Sequence, residues 1–436
     1  MAVPISGPPV KGEPMKAVTW QGARDIRVVE VDRPALAHPQ DVILRVTSTA
    51  ICGSDLHLYT GNFPKSSMAK GDILGHEFMG IVHEIGEDVK GYKPGDRVVC
   101  SFDIACGHCH SCHHQLFSLC DMSNDSTAQE ALYGDKSGGY FGYSHLTGGW
   151  AGGQADYVRV PFAEQNLLKV PENHARHTDL DVLLLSDVLG TAWHACEMGE
   201  VKEGDTVAIW GAGPVGMLAA QCAQHRGAAK VILIDQELYR LEFAEHRLNP
   251  RTLVTLNGRQ LKQQNCGVAK AVREILPHGP DVAIECVGFH YASTFLHRAE
   301  MTLGLETDPA DMMNEIFTTV RKGGRVSVVG VYVGHVNHFN FGCFMEKGLT
   351  MKAGQTPVQR YWKMLLEKVE KKELDPRVII THELPLEEAA KAYQIFNNKE
   401  NGCVKVVLHT KFYKGQYLEK EKGVKDEEVA GAGGSH

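Results

Sequence analysis

Residues 206–235, TVAIWGAGPVGMLAAQCAQHRGAAKVILID, join an apolar run, a glycine turn, a helical stretch and a second apolar run. Gly211, Gly213 and Gly216 form G-x-G-x-x-G between TVAIW and PVGMLAAQCAQH. The first glycine permits a tight turn, the second lets backbone approach a pyrophosphate, and the third lets the helix pack closely on the strand. Backbone N–H groups at the helix start, around Pro214 and Val215, are placed to hold phosphates. Proline has no N–H, so Val215 and Gly216 are the donors. Asp235 ends VILID, nineteen residues beyond Gly216, where a carboxylate accepts hydrogen bonds from adenosine ribose hydroxyls. A glycine turn of an unrelated α/β domain is the bland alternative, and the acid at this distance argues against it. Asp235 repels a 2′-phosphate, which favours NAD over NADP. Arg240 has two readings, a neighbour of the adenosine or a solvated helix arginine.

Outward from this unit, PDVAIECVG (280–288) and GRVSVVGVY (324–332) supply further apolar runs with helical segments between them. Alternation of this kind predicts an α/β domain with a parallel sheet covered on both faces, spanning 187–345. The segment before it differs. MKAVTWQG, DIRVVEVD, DVILRVTSTAIC and GIVHEIGEDVKGYKPGDRVVC are short β-branched runs with glycine and proline at the turns, predicting a barrel-like β unit over 15–186. Residues 121–153 are rich in glycine, serine and tyrosine and read as a long loop. Residues 346–410 are mixed, with a helical YWKMLLEKVEKKEL and a last strand in CVKVVLHT. The proline-rich 1–14 reads as a flexible arm, and the charged, then glycine-rich, 411–436 as a disordered tail.

The chain has 436 residues, 43% hydrophobic and 22% charged, with a formal charge of −8. That balance argues against a nucleic-acid partner bound through broad phosphate attraction. No apolar stretch matches a bilayer-spanning helix, and the first fourteen residues resemble neither a signal nor a transit peptide. A cytoplasmic protein without membrane attachment is expected.

Four of the twelve cysteines, Cys106, Cys109, Cys112 and Cys120, fall within fifteen positions (lobe 100–121). Four thiolates from one loop close a tetrahedral zinc shell and leave no place for substrate, so that ion is structural. An iron–sulfur cluster also takes four cysteines, but the glycine turn points to two-electron hydride chemistry. His108, His110, His113 and His114 on the same loop read as exposed polar residues. Elsewhere Cys52 reads as a small buried hydrophobe, His76 as a core histidine, and Asp187 as a helix cap. Spacing alone selects none of them.

CGSDLH (52–57), GHE (75–77), the cysteine lobe, GAGPVG (211–216) and GCVKVVL (402–408) resemble the zinc-dependent medium-chain alcohol dehydrogenases. GGWAGGQADYVRVP (148–161) and LLLSDVLGTAWHA (183–195) narrow the resemblance to their glutathione-independent formaldehyde dehydrogenase-like branch. It covers about 15–410. It implies a GroES-like β domain built from both ends of the chain, with a doubly wound parallel-sheet Rossmann domain inserted. Cys52, His76 and Asp187 then become ligands of a catalytic zinc in the cleft, the second zinc of the chain. Many relatives have cysteine where Asp187 stands; oxygen is harder than sulfur and keeps the ion the stronger Lewis acid. Ser54 occupies the position that takes the alcohol's proton, and His57 that of the outer relay base. Asp55 orients His76. Glu77 is either an acid that coordinates the metal transiently or a buried salt-bridge partner.

Thr191 aligns with a nicotinamide contact, Lys405 with a basic residue that meets the pyrophosphate, and Gly53 joins the cofactor-binding positions. A helix threonine and a surface lysine are the bland alternatives for the first two. Trp193 and His194 depart from relatives and are expected to reshape the substrate pocket. The stretch 285–330, longer than in short alcohol dehydrogenases, resembles an insertion that covers the cofactor, so NAD is expected to stay bound through purification. The resemblance implies an oxidoreductase acting on an alcohol or an aldehyde hydrate, formaldehyde among them, and a homo-oligomer, dimer or tetramer. A biosynthetic reductase with a larger substrate and a non-catalytic relative are the alternatives; a zinc count of one per chain would favour the last.

Overall fold

The computed structural model describes residues 7–61, 67–171, 178–287 and 310–415. Its six-stranded sheet is parallel throughout. The order is Leu253–Asn257, Lys230–Asp235, Thr206–Trp210, Val282–Glu285, Arg325–Val328 and Thr350–Ala353. The chain thus starts at a central strand, winds to one edge, returns to the centre and winds to the other. The strand order reverses between Thr206–Trp210 and Val282–Glu285, and ligands of such sheets bind outside the carboxyl ends of the strands at that reversal.

Alternating side chains account for the two covered faces. Val207 and Ile209 pack with Leu218 and Cys222 of the helix Pro214–His225 in one cluster. Ala208 and Trp210 pack with Ile316 and Phe317 of the helix Asp311–Thr319 in another. Period-two alternation with both faces apolar is why these strands read as continuous runs.

The seven-stranded sheet draws on both ends of the chain. Val406–His409 lies antiparallel to Val42–Ile51, with Val406 opposite Ile51, and parallel to His382–Pro385. Glu77–Ile85, Arg97–Cys100 and Leu167–Lys169 continue the sheet beyond Val42–Ile51, and Tyr157–Val160 pairs with that strand as well. This unit and the parallel sheet together give the α/β fold expected above.

Three sequence expectations change. The arm read over 1–14 is strand from Pro9, since Pro9–Gly22 pairs antiparallel with Asp25–Pro34. A two-stranded ribbon leaves one side of each strand unpaired, so proline's missing N–H costs little there. The register skips between Pro9 and Pro14, where Gly12 takes a left-handed φ of 82°. Within the long loop over 121–153, Thr127–Tyr133 is a helix, capped by Ser126 and closed by Gly134; seven residues are too few to show a period. In the tail over 411–436, residues 411–415 are ordered against the body, with Lys411 Nζ 2.9 Å from Asp156. The rest of the tail, residues 1–6, and residues 288–309 of the insertion lie outside the described residues.

Candidate active site

The cysteine lobe is closed. The four Sγ atoms lie within 4.8 Å of one another, with 3.9 Å between Cys106 and Cys112 and between Cys109 and Cys120. A tetrahedron with Zn–S near 2.3 Å spaces its sulfurs by about 3.8 Å, whereas a disulfide needs about 2.05 Å. The donor set fits a four-thiolate ion. Backbone N–H groups support anionic sulfur: Cys106 N donates to Cys120 Sγ (3.2 Å), and Cys112 N to Cys109 Sγ (3.5 Å). His108, His110, His113 and His114 are all exposed, as expected.

The dispersed residues converge. Cys52 stands at the start of the helix Gly53–Thr60, where its N–H donates to Asp55 Oδ2 at 3.0 Å. His76 immediately precedes the strand Glu77–Ile85. Asp187 breaks the chain between the turn Leu183–Ser186 and the helix Val188–Met198. Its side chain does not cap that helix. Instead Oδ1 accepts from Thr191 Oγ1 at 2.7 Å, and Oδ2 lies 3.4 Å from His76 Nε2. Donor atoms of Cys52, His76, Glu77 and Asp187 all fall within 4.8 Å of one another. Nitrogen and oxygen ligands at 2.0–2.1 Å in a tetrahedron sit about 3.4 Å apart, so His76 and Asp187 match a shared zinc.

The electrostatics of this cluster favour positive charge at His76 and negative charge at Asp187. Burial alone would lower the His76 pKa, yet Asp55 and Asp187 outweigh it and raise it well above the usual value. Burial alone would raise Asp187, yet His76 and the Thr191 hydroxyl hold it below the usual range. Buried anionic groups gathered this way require a positive partner.

Glu77 and Lys405 form an ion pair, Oε1 to Nζ at 2.6 Å, with both side chains fully buried. Burial would depress the Lys405 ammonium, and Glu77 more than compensates, so its pKa is raised. The surface-lysine reading is therefore excluded. Lys405 lines the same crevice as Gly213 and Pro214. Of the two Glu77 readings, the salt bridge is present; its other oxygen, Oε2, is buried without a hydrogen-bond partner among the described residues. Ser54 Oγ lies 3.4 Å from His76 Nε2, and Gly53, Ser54, His57 and Thr191 line the crevice too.

At the glycine turn each glycine does separate work. Gly211 adopts φ 98°, the left-handed region. A Cβ on Gly216 would lie 1.7 Å from the Gly211 carbonyl oxygen, so helix and turn are in contact there. A Cβ on Gly213 would meet only the Arg240 guanidinium, at 3.8 Å, which leaves room for a pyrophosphate. Asp235 Oδ2 accepts from Ala212 N at 2.7 Å, and Arg240 Nη1 lies 4.0 Å from the same oxygen. Arg240 thus lines a cavity of about 630 Å³ with Gly211, Gly213 and Asp235. That cavity and the crevice holding Cys52, His76 and Asp187 share Gly213, Cys286 and Val287.

The expectation for Trp193 and His194 fails. Nearly two helical turns beyond Asp187, the Trp193 ring lies under Arg226 (4.1 Å) and Lys368 (5.6 Å). His194 Nδ1 meets the Tyr361 hydroxyl at 2.9 Å. Neither lines the crevice. Its aromatic wall is Phe102, Tyr140 and Tyr143, with the rings of Phe102 and Tyr143 edge-on to His76 at 6.2 and 5.9 Å. Sequence reading passed over these residues; the only hint was the tyrosine-rich character of 121–153.

A dinucleotide crevice opening onto thiolate, imidazole and carboxylate defines a metal-dependent nucleotide-linked oxidoreductase. Residues 38–172 match the model of the alcohol dehydrogenase GroES-like domain. A zinc-type alcohol dehydrogenase-like protein of Schizosaccharomyces pombe is 42% identical over 400 residues, covering 92% of each chain. Formaldehyde dismutase of Pseudomonas putida is 36% identical over 81% of this chain and 87% of its own. The solved alcohol dehydrogenase TADH from Thermus sp. ATN1 superposes with a TM-score of 0.73 at 35% identity, covering 91% of this chain and 99% of that one. The chain belongs to the zinc-type alcohol dehydrogenase family.

Proposed function

We propose that the protein is an NAD-linked zinc dehydrogenase that oxidises small, uncharged primary alcohols and aldehyde hydrates, formaldehyde among them, and catalyses the reverse reductions. The observation that carries this reading is the clustering of Cys52, His76 and Asp187 within 4.8 Å at one end of a crevice whose other end is the glycine turn. These three residues would hold the catalytic zinc, where one thiolate, one carboxylate and a neutral imidazole would balance its charge. When bound, zinc acts as a Lewis acid that lowers the pKa of a coordinated hydroxyl, and NAD accepts the hydride. Ser54 receives the substrate proton, and His57 passes it toward solvent. Asp55 orients His76, and the aromatic wall keeps bulk water from the reacting atoms.

The lining supports the substrate class. Among the described residues of the crevice the basic side chains are His57, His76 and Lys405, and the last is neutralised by Glu77. No arginine is there to hold the carboxylates of a glutathione adduct. Asp235 supports NAD over NADP, and the free cysteines suit a reducing cytoplasm. We place the catalytic domain at 15–186 with a return at 346–410, and the nucleotide domain at 187–345. A homo-oligomer is supported by the exposed edge strand Thr350–Ala353 beside Phe341 and Met345, which are 62% and 61% exposed. The test is a panel of alcohols and aldehydes followed by NADH absorbance, with formaldehyde offered with and without glutathione. Glutathione-independent turnover of formaldehyde is expected; a strict glutathione requirement would refute the assignment.

A further inference from the structure

Behind His76 a chain of buried polar groups runs to the far end of the sequence. Asp55 Oδ1 lies 3.2 Å from His76 Nδ1, and each of these buried atoms lacks a hydrogen-bond partner elsewhere among the described residues. The other oxygen, Asp55 Oδ2, accepts from Cys52 N at 3.0 Å and from Gln154 Nε2 at 3.3 Å. Gln154 Nε2 also donates to the Ala50 carbonyl at 3.3 Å. Gln154 Oε1 accepts from the Tyr393 hydroxyl at 2.9 Å. Gln154, Asp55 and Tyr393 are fully buried, and His76 nearly so.

The direction of every proton in this chain is fixed. A carbonyl and a carboxylate only accept, so the Gln154 amide must turn its NH₂ toward Ala50 and Asp55. Its oxygen then faces Tyr393, which can only donate to it. Asp55 accepts from two donors on Oδ2 and presents Oδ1 to His76 Nδ1. With a metal ion on Nε2, the atom facing Asp187, the remaining proton of the imidazole lies on Nδ1 toward Asp55. The backbone around Gln154 is pinned as firmly: Gln154 N donates to Leu74 O at 2.9 Å, and Gly153 N to Gly75 O at 2.8 Å, on either side of the residue before His76. Gly75 has φ 96°, and a Cβ there would lie 2.3 Å from Gln154 Cγ.

We infer that Gln154 and Tyr393 are positioning residues for the catalytic metal: acting through Asp55, they fix the tautomer and orientation of His76 and so set the affinity of the site. The inference rests on the proposed function for its metal. Second-layer partners of a metal-bound histidine are worth roughly 10–100-fold in metal affinity.

The test compares the parent, Gln154→Met and Tyr393→Phe, each loaded with two zinc ions and titrated with a chelator. Gln154→Met keeps length without the amide, and Tyr393→Phe removes only the hydroxyl. Expected is a catalytic-site zinc affinity lower by up to roughly tenfold in Gln154→Met, the low end of the range for the direct partner Asp55, and less in Tyr393→Phe, with the cysteine-lobe ion unmoved as an internal reference. The double variant should be no weaker than Gln154→Met, because one break already interrupts the chain. Cobalt substituted at the catalytic site should show a shifted visible spectrum in both variants. Parental affinity and an unchanged cobalt spectrum in Tyr393→Phe and Gln154→Met would overturn the positioning role alone. Should Gln154→Met not fold, Tyr393→Phe decides. A parent that binds zinc only in the lobe would overturn the proposed function as well.

Discussion

At the scale of single residues, Asp187 and His194 sit seven positions apart on the sequence and carry opposite kinds of consequence. The Asp187 carboxylate joins the Thr191 hydroxyl to His76, and under the proposed function it is a ligand of the catalytic zinc. Asp187→Ala should therefore cut turnover by roughly 10³-fold, since the Lewis acid supplies several kcal/mol to the barrier. Metal analysis should fall from two zinc ions per chain to one, the lobe ion remaining. Substantial activity in that variant would make Glu77, whose Oε2 is buried and unpaired among the described residues, the better third ligand. His194 is half-buried against Tyr361; desolvation, and next the nearby Arg360 cation, press its pKa down to about 4. The folded state thus keeps it neutral where the unfolded chain would bind a proton. Its contribution is intact above the unfolded pKa of about 6.5 and is lost as pH falls from there toward 4. Between pH 7 and 5 the loss is at most about 2 kcal/mol. Urea denaturation of parent and His194→Gln at both pH values checks this: the variant should lose less stability on acidification, and equal losses would contradict it.

At the scale of elements, the glycine turn and the cysteine lobe are where sequence spoke most directly. Both compress their chemistry into one short segment: three glycines between a strand and a helix, and four cysteines on a single loop. The turn's geometry yields a sharp prediction. A Cβ on Gly216 would press to 1.7 Å from the Gly211 carbonyl oxygen, a backbone atom that cannot rotate away. Gly216→Ala should cost about 1–3 kcal/mol of stability through overpacking. It should also weaken NADH binding at least tenfold, read by fluorescence titration, as the helix lifts from the strand. A wild-type affinity would show that the turn does not shape the nucleotide site. Elements whose meaning depends on distant partners were less legible. Cys52, His76 and Asp187 each passed for ordinary core or capping residues, and only the family resemblance singled them out. Trp193 is not legible locally because its neighbours, Arg226 at the end of the helix Pro214–His225 and Lys368 of the helix Trp362–Glu370, lie far along the chain. The Glu77–Lys405 pair is half legible: each residue stands in a recognisable motif, but 328 positions separate them. Gln154 lies within GGWAGGQADYVRVP, where nothing local reveals that its amide faces Asp55.

At the scale of the whole molecule, the last strand closes a sheet begun near the first. Val406–His409 lies between Val42–Ile51 and His382–Pro385, and Val404, Val406, Val407 and Leu408 are fully buried. Burying four such side chains contributes on the order of 8 kcal/mol, comparable to the entire stability of an ordinary domain. The same segment brings Lys405 to Glu77, and the helix Ala389–Asn398 just before it brings Tyr393 to Gln154. The returning segment therefore both closes the sheet and completes the surroundings of the candidate metal site, which the alternation of strands and helices could not disclose. Deleting residues 403–436 should leave the chain insoluble, because Ser48–Ile51 would become an open edge and Glu77 a buried charge without its cation. Deleting only 416–436, charged and then glycine-rich, should preserve two zinc ions per chain and the parental melting temperature. A soluble, zinc-loaded protein from the longer deletion would mean that the nucleotide domain and the first 186 residues assemble the site without the returning strand.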